Sequence, residues 1–424
     1  MTSERRRLRE QDTIGFLASP GPGELLRATL AAAGWELGSW TLDSLHHRPG
    51  AGVTGLFSLV GVRAVSSTDA RNPAPPTMAC ITSCATPSES DHRVVPRGDS
   101  GTLTSWLHPA DPLLPGLGLA LDADRATALA FGDGVRPEES VPVLRSYRPL
   151  RRAVVVVRNG QERRYLKVLR PGMAEPLVQR HSMLRAAGIP APTVTADPQL
   201  DVVAMRAAPG EPLAELLLRD GAAEVDPHAL VRLLTSLPRG VLELPVRAPW
   251  TDRVRDYAEG AVAALPSEAM RIRGLARRID RVVRATGKGA LVPSHGDFYE
   301  ANLLIAGGAV SGLLDVDALG PGHLVDDLAC CVGHLAVLPG LHPGYVRVPA
   351  ALARFLRAFD DHVDPVTLRA GAAAVALTLV AGARRRAHGG GSEALSRLVV
   401  AERFLDAALA GGRADHDLMR SLHG

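Results

Sequence analysis

Cysteine is scarce in this chain, with four residues in 424: Cys80, Cys84, Cys330 and Cys331. So few thiols exclude a disulfide-stapled scaffold. The spacing CITSC, without a second Cys or His pair, makes a poor zinc site and leaves buried reduced thiols as the reading. Net charge is scarce too: 48 basic residues stand against 45 acidic ones, a formal +3. No broad basic field exists to attract nucleic acid or a membrane surface, and neither is expected as a partner. The apolar run from Ala370 to Ala383, about 14 residues, falls short of the ~18–20 that span a bilayer and predicts a buried helix. The opening MTSERRRLREQ lacks the apolar stretch of a secretory signal, so the cytoplasm is the expected compartment. Lysine is nearly absent. Among the 48 basic residues only Lys167 and Lys288 are lysines. Lys288 lies in the polar turn TGKG, where solvation suffices, but Lys167 lies in the apolar run YLKVL. The remainder is globular in composition, 46% apolar and 22% charged, with length for two or three domains of roughly 100–200 residues.

In the N-terminal third, a helix is predicted from Gly23 to Ala33. WELGSWTLDSL and VTGLFSLVGVRAV predict an antiparallel pair joined through HHRPGAG. Residues 65–100, rich in Pro, Ser, Asp and Asn, predict long loops around one short strand, TMACI. A turn-rich link from Trp106 to Gly134 leads into a short helix, and a domain boundary is expected near residue 140. The pattern then sharpens. AVVVVR (153–158), the turn Asn159-Gly160 and RYLKVLR (164–170) predict a hairpin with Lys167 on its second strand. A helix ending at Gly188 and two strands in VTADPQLDVVAMRAA complete a β-rich lobe. Beyond Pro209 the chain reads as helical: Ile272, Leu275, Ala276, Ile279, Val282 and Val283 recur at a 3.6 period, and 366–410 predicts two long helices.

The stretch LVPSHGDFYEANLLIAGGAVSGLLDVDALGPGHLVDDLA, 291–329, carries the chemistry. It reads as a short strand, then a loop with Asp297 and Asn302 five residues apart. A hairpin follows, turning at AGGA and delivering Asp315 at its far end. Phosphoryl transfer from ATP needs such a set: a carboxylate to orient the acceptor hydroxyl and take its proton, Mg2+ ligands, and a cation on the α- and β-phosphates. Asp297 suits the first role, Asn302 and Asp315 the metal role, and Lys167 the last.

On these residues the chain resembles the aminoglycoside phosphotransferase and choline kinase-like family, over about residues 141–410. His295, Gly296, Asp297 and Asn302 match its HGDxxxxN motif, Asp315 its metal aspartate, and Asp327-Leu328-Ala329 its downstream helix start. The motif alone would arise by chance in about one chain in 400 of this length. The resemblance implies a bilobal protein-kinase-like α+β fold, with a small β-rich lobe (141–208) and a mainly helical lobe (209–424). An additional N-terminal α+β cap (1–140) precedes them. It implies ATP and Mg2+ as cofactors. A hydroxyl of a sugar, amino sugar, aminoglycoside or amino alcohol would be the acceptor, and the adenine would lie at the hinge VAMRAAP (203–209) around Met205.

The sequence departs from the family in two places. No glycine-rich phosphate loop precedes AVVVV; SYRPLRR stands there, and Arg148, Arg151 and Arg152 are candidates either to grip phosphate or to form a solvated cluster. The helix glutamate that pairs with the strand lysine is also missing: Glu175 comes too early, and Leu177, Gln179, Arg180 and His181 occupy the expected region. A catalytically degenerate binding or scaffold protein on the same fold is therefore the alternative. His295 is expected to hold the loop rather than act as a base, Asp327 to cap its helix, and Asp317 to lie either beside the metal site or exposed. His46, His47, His323, His334 and the Cys330-Cys331 pair are read as residues without chemistry.

Overall fold

Valine-rich runs flanking an Asn-Gly turn form the centre of the lysine-bearing sheet. In the computed structural model, strands Arg152–Asn159 and Glu162–Leu169 pair antiparallel, with Val154 opposite Lys167. The structure describes residues 3–48, 50–65, 74–87, 93–96, 101–135, 141–383 and 390–412. They divide into two compact units, Met1–Val178 with Val194–Ala207 and Gln179–Thr193 with Ala208–Gly424.

In the first unit, the lysine-bearing sheet has five antiparallel strands. Their order is Val194–Asp197, Val202–Arg206, Glu162–Leu169, Arg152–Asn159, Val143–Arg148. Lys167 is central, with Val203 opposite on its other side, and only 4% exposed. The sequence reading gives four strands. The fifth, VLRSYR, is a polar edge strand with a bulge between Leu144 and Ser146, so it lacks the apolar alternation that reveals half-buried strands. Helices Leu117–Leu121 and Ala123–Phe131 pack on this sheet, placing Leu117, Ala120, Ala126 and Ala130 against Val155, Val157, Leu166 and Val168.

A second five-stranded antiparallel sheet lies in the same unit, in the order Ser39–Arg48, Gly52–Val60, Met78–Thr82, Thr102–Leu107, Arg93–Pro96. The last two are strands where loops and a link are expected from the sequence. Their pairing partners are each other and Met78–Thr82, which local composition does not show. The loop expectations for 66–73, 88–92 and 97–100, and the boundary near 140, lie outside the described residues. Helices Ser3–Leu17 and Pro22–Ala32 share a core with the sheet through Leu17, Leu26, Leu30, Phe57 and Ile81. The first helix is unread in the sequence because its buried positions Glu10, Thr13 and Leu17 are mostly polar; Glu10 pairs with His47 at 2.9 Å. In the same sheet Leu56, Cys80 and Trp106 stand side by side on neighbouring strands, clustered with Leu150.

The second unit is mainly helical. Ile272, Leu275, Ala276, Ile279 and Val283 of helix Ala269–Ala285 are buried at the predicted period. Helix Pro365–Ala383 starts before the uncharged run and takes in Arg369, fully buried and paired with Asp360. By length and composition it could cross a membrane, yet 72% of its apolar window is buried in the protein, which makes it a core helix. Lys288 is not merely solvated: its ammonium donates to Thr251 at 2.9 Å and Asp252 at 2.6 Å and pairs with Asp326 at 3.2 Å.

One carboxylate ties the end of the lysine strand to the helix Ala174–Ala186. Buried Asp201 accepts hydrogen bonds from the amides of Gly172 (3.0 Å), Met173 (2.8 Å) and Ala174 (3.0 Å), while its own carbonyl accepts from Leu169. Three donors left unpaired by Asp201→Ala should lower the unfolding free energy by about 2–4 kcal/mol. Urea denaturation against wild type measures it.

Candidate active site

The loop after strand Val292–Ser294 must turn sharply, because that strand is pinned to Gly320–Gly322, with Ser294 opposite Gly320. Gly296 makes the turn at φ +78, and a Cβ there would stand 2.7 Å from the carbonyl oxygen of Ala318, so glycine is needed both for conformation and for space. Asp327 fixes the loop. Its buried carboxylate accepts from the amide of His295 (2.8 Å), the amide of Gly296 (2.7 Å) and the hydroxyl of Ser294 (2.9 Å). The residue expected to cap helix Leu324–Val337 thus clamps the loop instead; it lies four residues past the cap position, which His323 occupies. Burial pushes its carboxyl up to about 6, against the three donors that favour the charged form.

His295 carries the loop to the hairpin. The amide of Asp297 donates to its Nδ1 at 3.3 Å, so the proton sits on Nε2, which donates to the carbonyl of Leu314 at 3.0 Å. Burial depresses its pKa, and with both nitrogens engaged it is a neutral structural side chain. The hairpin Leu303–Ala306/Ala309–Leu313 turns on Gly307 and Gly308, both at positive φ, and returns the chain to Asp315. Asp315 adopts φ +53, a conformation L-residues seldom take and one that recurs at functional sites. The amide of Leu314 donates to the carbonyl of Asn302 at 2.8 Å, and Asn302 Nδ2 donates to the carbonyl of Asp297 at 2.9 Å. Asp297, Asn302 and Asp315 are thus brought together by one hydrogen-bonded frame.

That frame also orients the amide of Asn302: with Nδ2 on Asp297, its Oδ1 is the acceptor. An amide oxygen and a carboxylate are hard donors of the kind Mg2+ takes, with phosphates and water completing its shell, so the residues fit that ion. Among the described residues no group of three His, Cys, Asp or Glu stands close enough to hold a metal.

Arg180, in the region where the missing glutamate is expected, is buried and donates Nε–H to the carbonyl of Leu319 at 3.2 Å, four residues beyond Asp315. Burial, with Arg247, depresses the pKa of its guanidinium, and the charge of Asp317 counters them. The helix therefore braces the loop after Asp315 with a cation. Beside Asp297, Tyr299 stacks on half-buried His334 at 4.1 Å, and Glu300 is buried with Oε2 unpartnered. Burial, reinforced by Asp297, raises the Glu300 carboxyl to about 7.

The other expected site residues lie on the lysine-bearing sheet of the first unit. Lys167 is central, Met205 is half-buried between Tyr165 and Val194, and exposed Arg148 faces half-buried Arg152 across the turn joining the first two strands. The Asp327 clamp and the Arg180 brace are what sequence reasoning missed; the pair Asp326-Asp327 opening an apolar helix is the one local hint of the first.

A model of the phosphotransferase enzyme family matches residues 150–370, just over half of the chain. The chain belongs to this family. It is a phosphotransferase, and its fold is α+β, with sheet-rich and mainly helical parts. Solved structures similar to this phosphotransferase include an aminoglycoside-3'-phosphotransferase of type VIII, 23% identical over 56% of this chain and 92% of that one, TM-score 0.41. Choline kinase from Cryptosporidium parvum Iowa II is 13% identical over 70% and 97%, TM-score 0.45. A microcompartment-associated aminopropanol kinase is 18% identical over 64% and 94%, TM-score 0.47. No curated protein matches the phosphotransferase by sequence.

Two outcomes follow from the frame. Asp327→Ala leaves three buried donors unpaired and should cost about 3 kcal/mol or more in urea unfolding. Glu300 has its folded pKa raised from 4.5 to about 7, so the stability tied to its protonated form is whole below about 4.5 and lost as pH rises through 7. Glu300→Gln cannot ionise; its melting temperature relative to wild type should be higher at pH 8.5 than at pH 5, and an equal difference at both would contradict the assignment.

Proposed function

We propose that this phosphotransferase is an ATP- and Mg2+-dependent small-molecule kinase, transferring the γ-phosphate to a hydroxyl of a sugar, amino sugar, aminoglycoside or amino alcohol. The observation that carries this reading is the hydrogen-bonded frame joining Asp297, Asn302 and Asp315 through His295 and Leu314. Asp297 orients the acceptor hydroxyl and takes its proton as the oxygen bonds to the γ-phosphorus. The bond from that phosphorus to the β–γ bridging oxygen breaks, and ADP leaves. His295 is no rival base, since neither of its nitrogens faces substrate unengaged. Asn302 and Asp315 would hold Mg2+, which when bound would neutralise charge developing on the transferred phosphate. Lys167 does the same at the α- and β-phosphates; Arg148 and Arg152 add positive charge, and Met205 lies against the adenine.

A scaffold would need none of these side chains oriented, whereas here a dedicated clamp fixes the loop and a side-chain bond fixes the asparagine. The cytoplasm is the proposed compartment, consistent with four free cysteines and the local supply of ATP and Mg2+. Asp297→Ala should fold as wild type does and lose at least ~100-fold in turnover, the lower end of a general-base contribution. Equal turnover in a coupled ADP-release assay would remove this mechanism.

A further inference from the structure

Kinase-like folds cover the nucleotide phosphates with the turn joining the two strands that precede the lysine strand, usually built of glycines whose amides come close to phosphate. Here the turn is Arg148-Pro149-Leu150-Arg151, and its amides are committed elsewhere. Pro149 has no N–H, Leu150 N–H donates to Asp111 Oδ2 at 2.8 Å, and Arg151 N–H closes the turn on the carbonyl of Arg148 at 3.0 Å. Leu150 adopts φ +62, which costs an L-residue roughly 1–2 kcal/mol, and the burial of its side chain with Cys80 and Trp106 of the N-terminal sheet offsets that cost.

Asp111 is the hub of this junction. Only 5% exposed, it also accepts the hydroxyl of Tyr147 at 2.7 Å and, through Oδ1, the amide of Leu113 at 2.9 Å. The Tyr147 oxygen in turn accepts from Trp106 Nε1 at 3.3 Å, Cys80 Sγ lies 3.8 Å from it, and the His108 ring meets the Tyr147 ring edge-on at 5.0 Å. Burial raises Tyr147 and Cys80 and depresses His108 to about 4, so these three are neutral near pH 7.

We propose that Asp111 is a positioning residue for nucleotide binding. By committing the turn's amides, it holds a shape in which the guanidinium of exposed Arg148, rather than the backbone, meets the nucleotide phosphates. The proposal rests on the kinase reading above. It also explains how a chain without phosphate-loop glycines keeps an ordered turn: rigidity comes from the N-terminal sheet, and phosphate recognition comes from a planar, always-charged donor.

The test uses the full-length protein, with the affinity for ATP in the presence of Mg2+ measured by calorimetry and the exchange rate of the Leu150 amide by hydrogen exchange. Asp111→Asn should weaken ATP binding about tenfold and speed Leu150 exchange at least as much. Arg148→Ala should weaken binding similarly with Leu150 exchange unchanged, and the double variant should bind no worse than Arg148→Ala alone, because the first residue acts through the second. A purely structural Asp111 would lower the melting temperature while ATP affinity stays within twofold, or would give additive losses in the double variant; either result overturns the proposal. If Asp111→Asn fails to fold, Tyr147→Phe carries the same test. Wild type that binds no ATP overturns the kinase reading and this proposal with it, whereas wild type that binds while the Asp111 and Tyr147 variants bind equally overturns this proposal alone.

Discussion

A carboxylate removed from water must find donors, and Asp327 finds three in the loop it faces: two backbone amides and a serine hydroxyl. Everything in the second unit's candidate site hangs from that clamp. It sets the turn at Gly296, the turn places His295 so that one nitrogen takes the Asp297 amide, and the other nitrogen then ties the loop to the residue before Asp315. Burial works against the charge of Asp327 and the donors work for it. The clamp therefore holds only while the loop keeps its shape, which makes loop geometry and carboxylate ionisation one cooperative property.

Two further buried carboxylates act similarly. Asp201 gathers three amides where the lysine strand gives way to a helix, and Asp111 gathers the Tyr147 hydroxyl, the Leu150 amide of the turn joining the two strands before it, and the amide of nearby Leu113. In each case a side chain supplies the order that a glycine-rich or regular segment would otherwise provide. The same logic holds for Arg180, whose cation braces the loop after Asp315 from the helix in which a glutamate is missing. The departures from the family pattern are thus accompanied by buried side-chain bonds that fix the phosphate-loop turn and the loop after Asp315.

Much of this fold was legible because it is local. The Asn-Gly hairpin bearing Lys167, the Gly-Gly hairpin ending at Asp315, the HGDxxxxN loop and the 3.6-period helix Ala269–Ala285 each announce themselves within about twenty residues. What stayed hidden depends on partners far away in sequence. Asp327 meets Gly296 across 31 residues and Asp111 meets Leu150 across 39, so neither role has a local signature. Strand Val143–Arg148 is a polar edge and helix Ser3–Leu17 buries polar residues, so hydrophobic periodicity passes over both. Lys288 was misread for the same reason, since its partners Asp252 and Asp326 lie more than thirty residues to either side.

The central claim is that the frame of Asp297, Asn302 and Asp315 transfers phosphate from ATP to an alcohol. Mg2+-dependent ADP release, measured across sugars, amino sugars, aminoglycosides and choline-like alcohols, tests it most directly. The account predicts that at least one of these compounds stimulates release, and that chelating Mg2+ abolishes the stimulation. No stimulation by any of them, together with a melting temperature that ATP and Mg2+ leave unchanged, would contradict it.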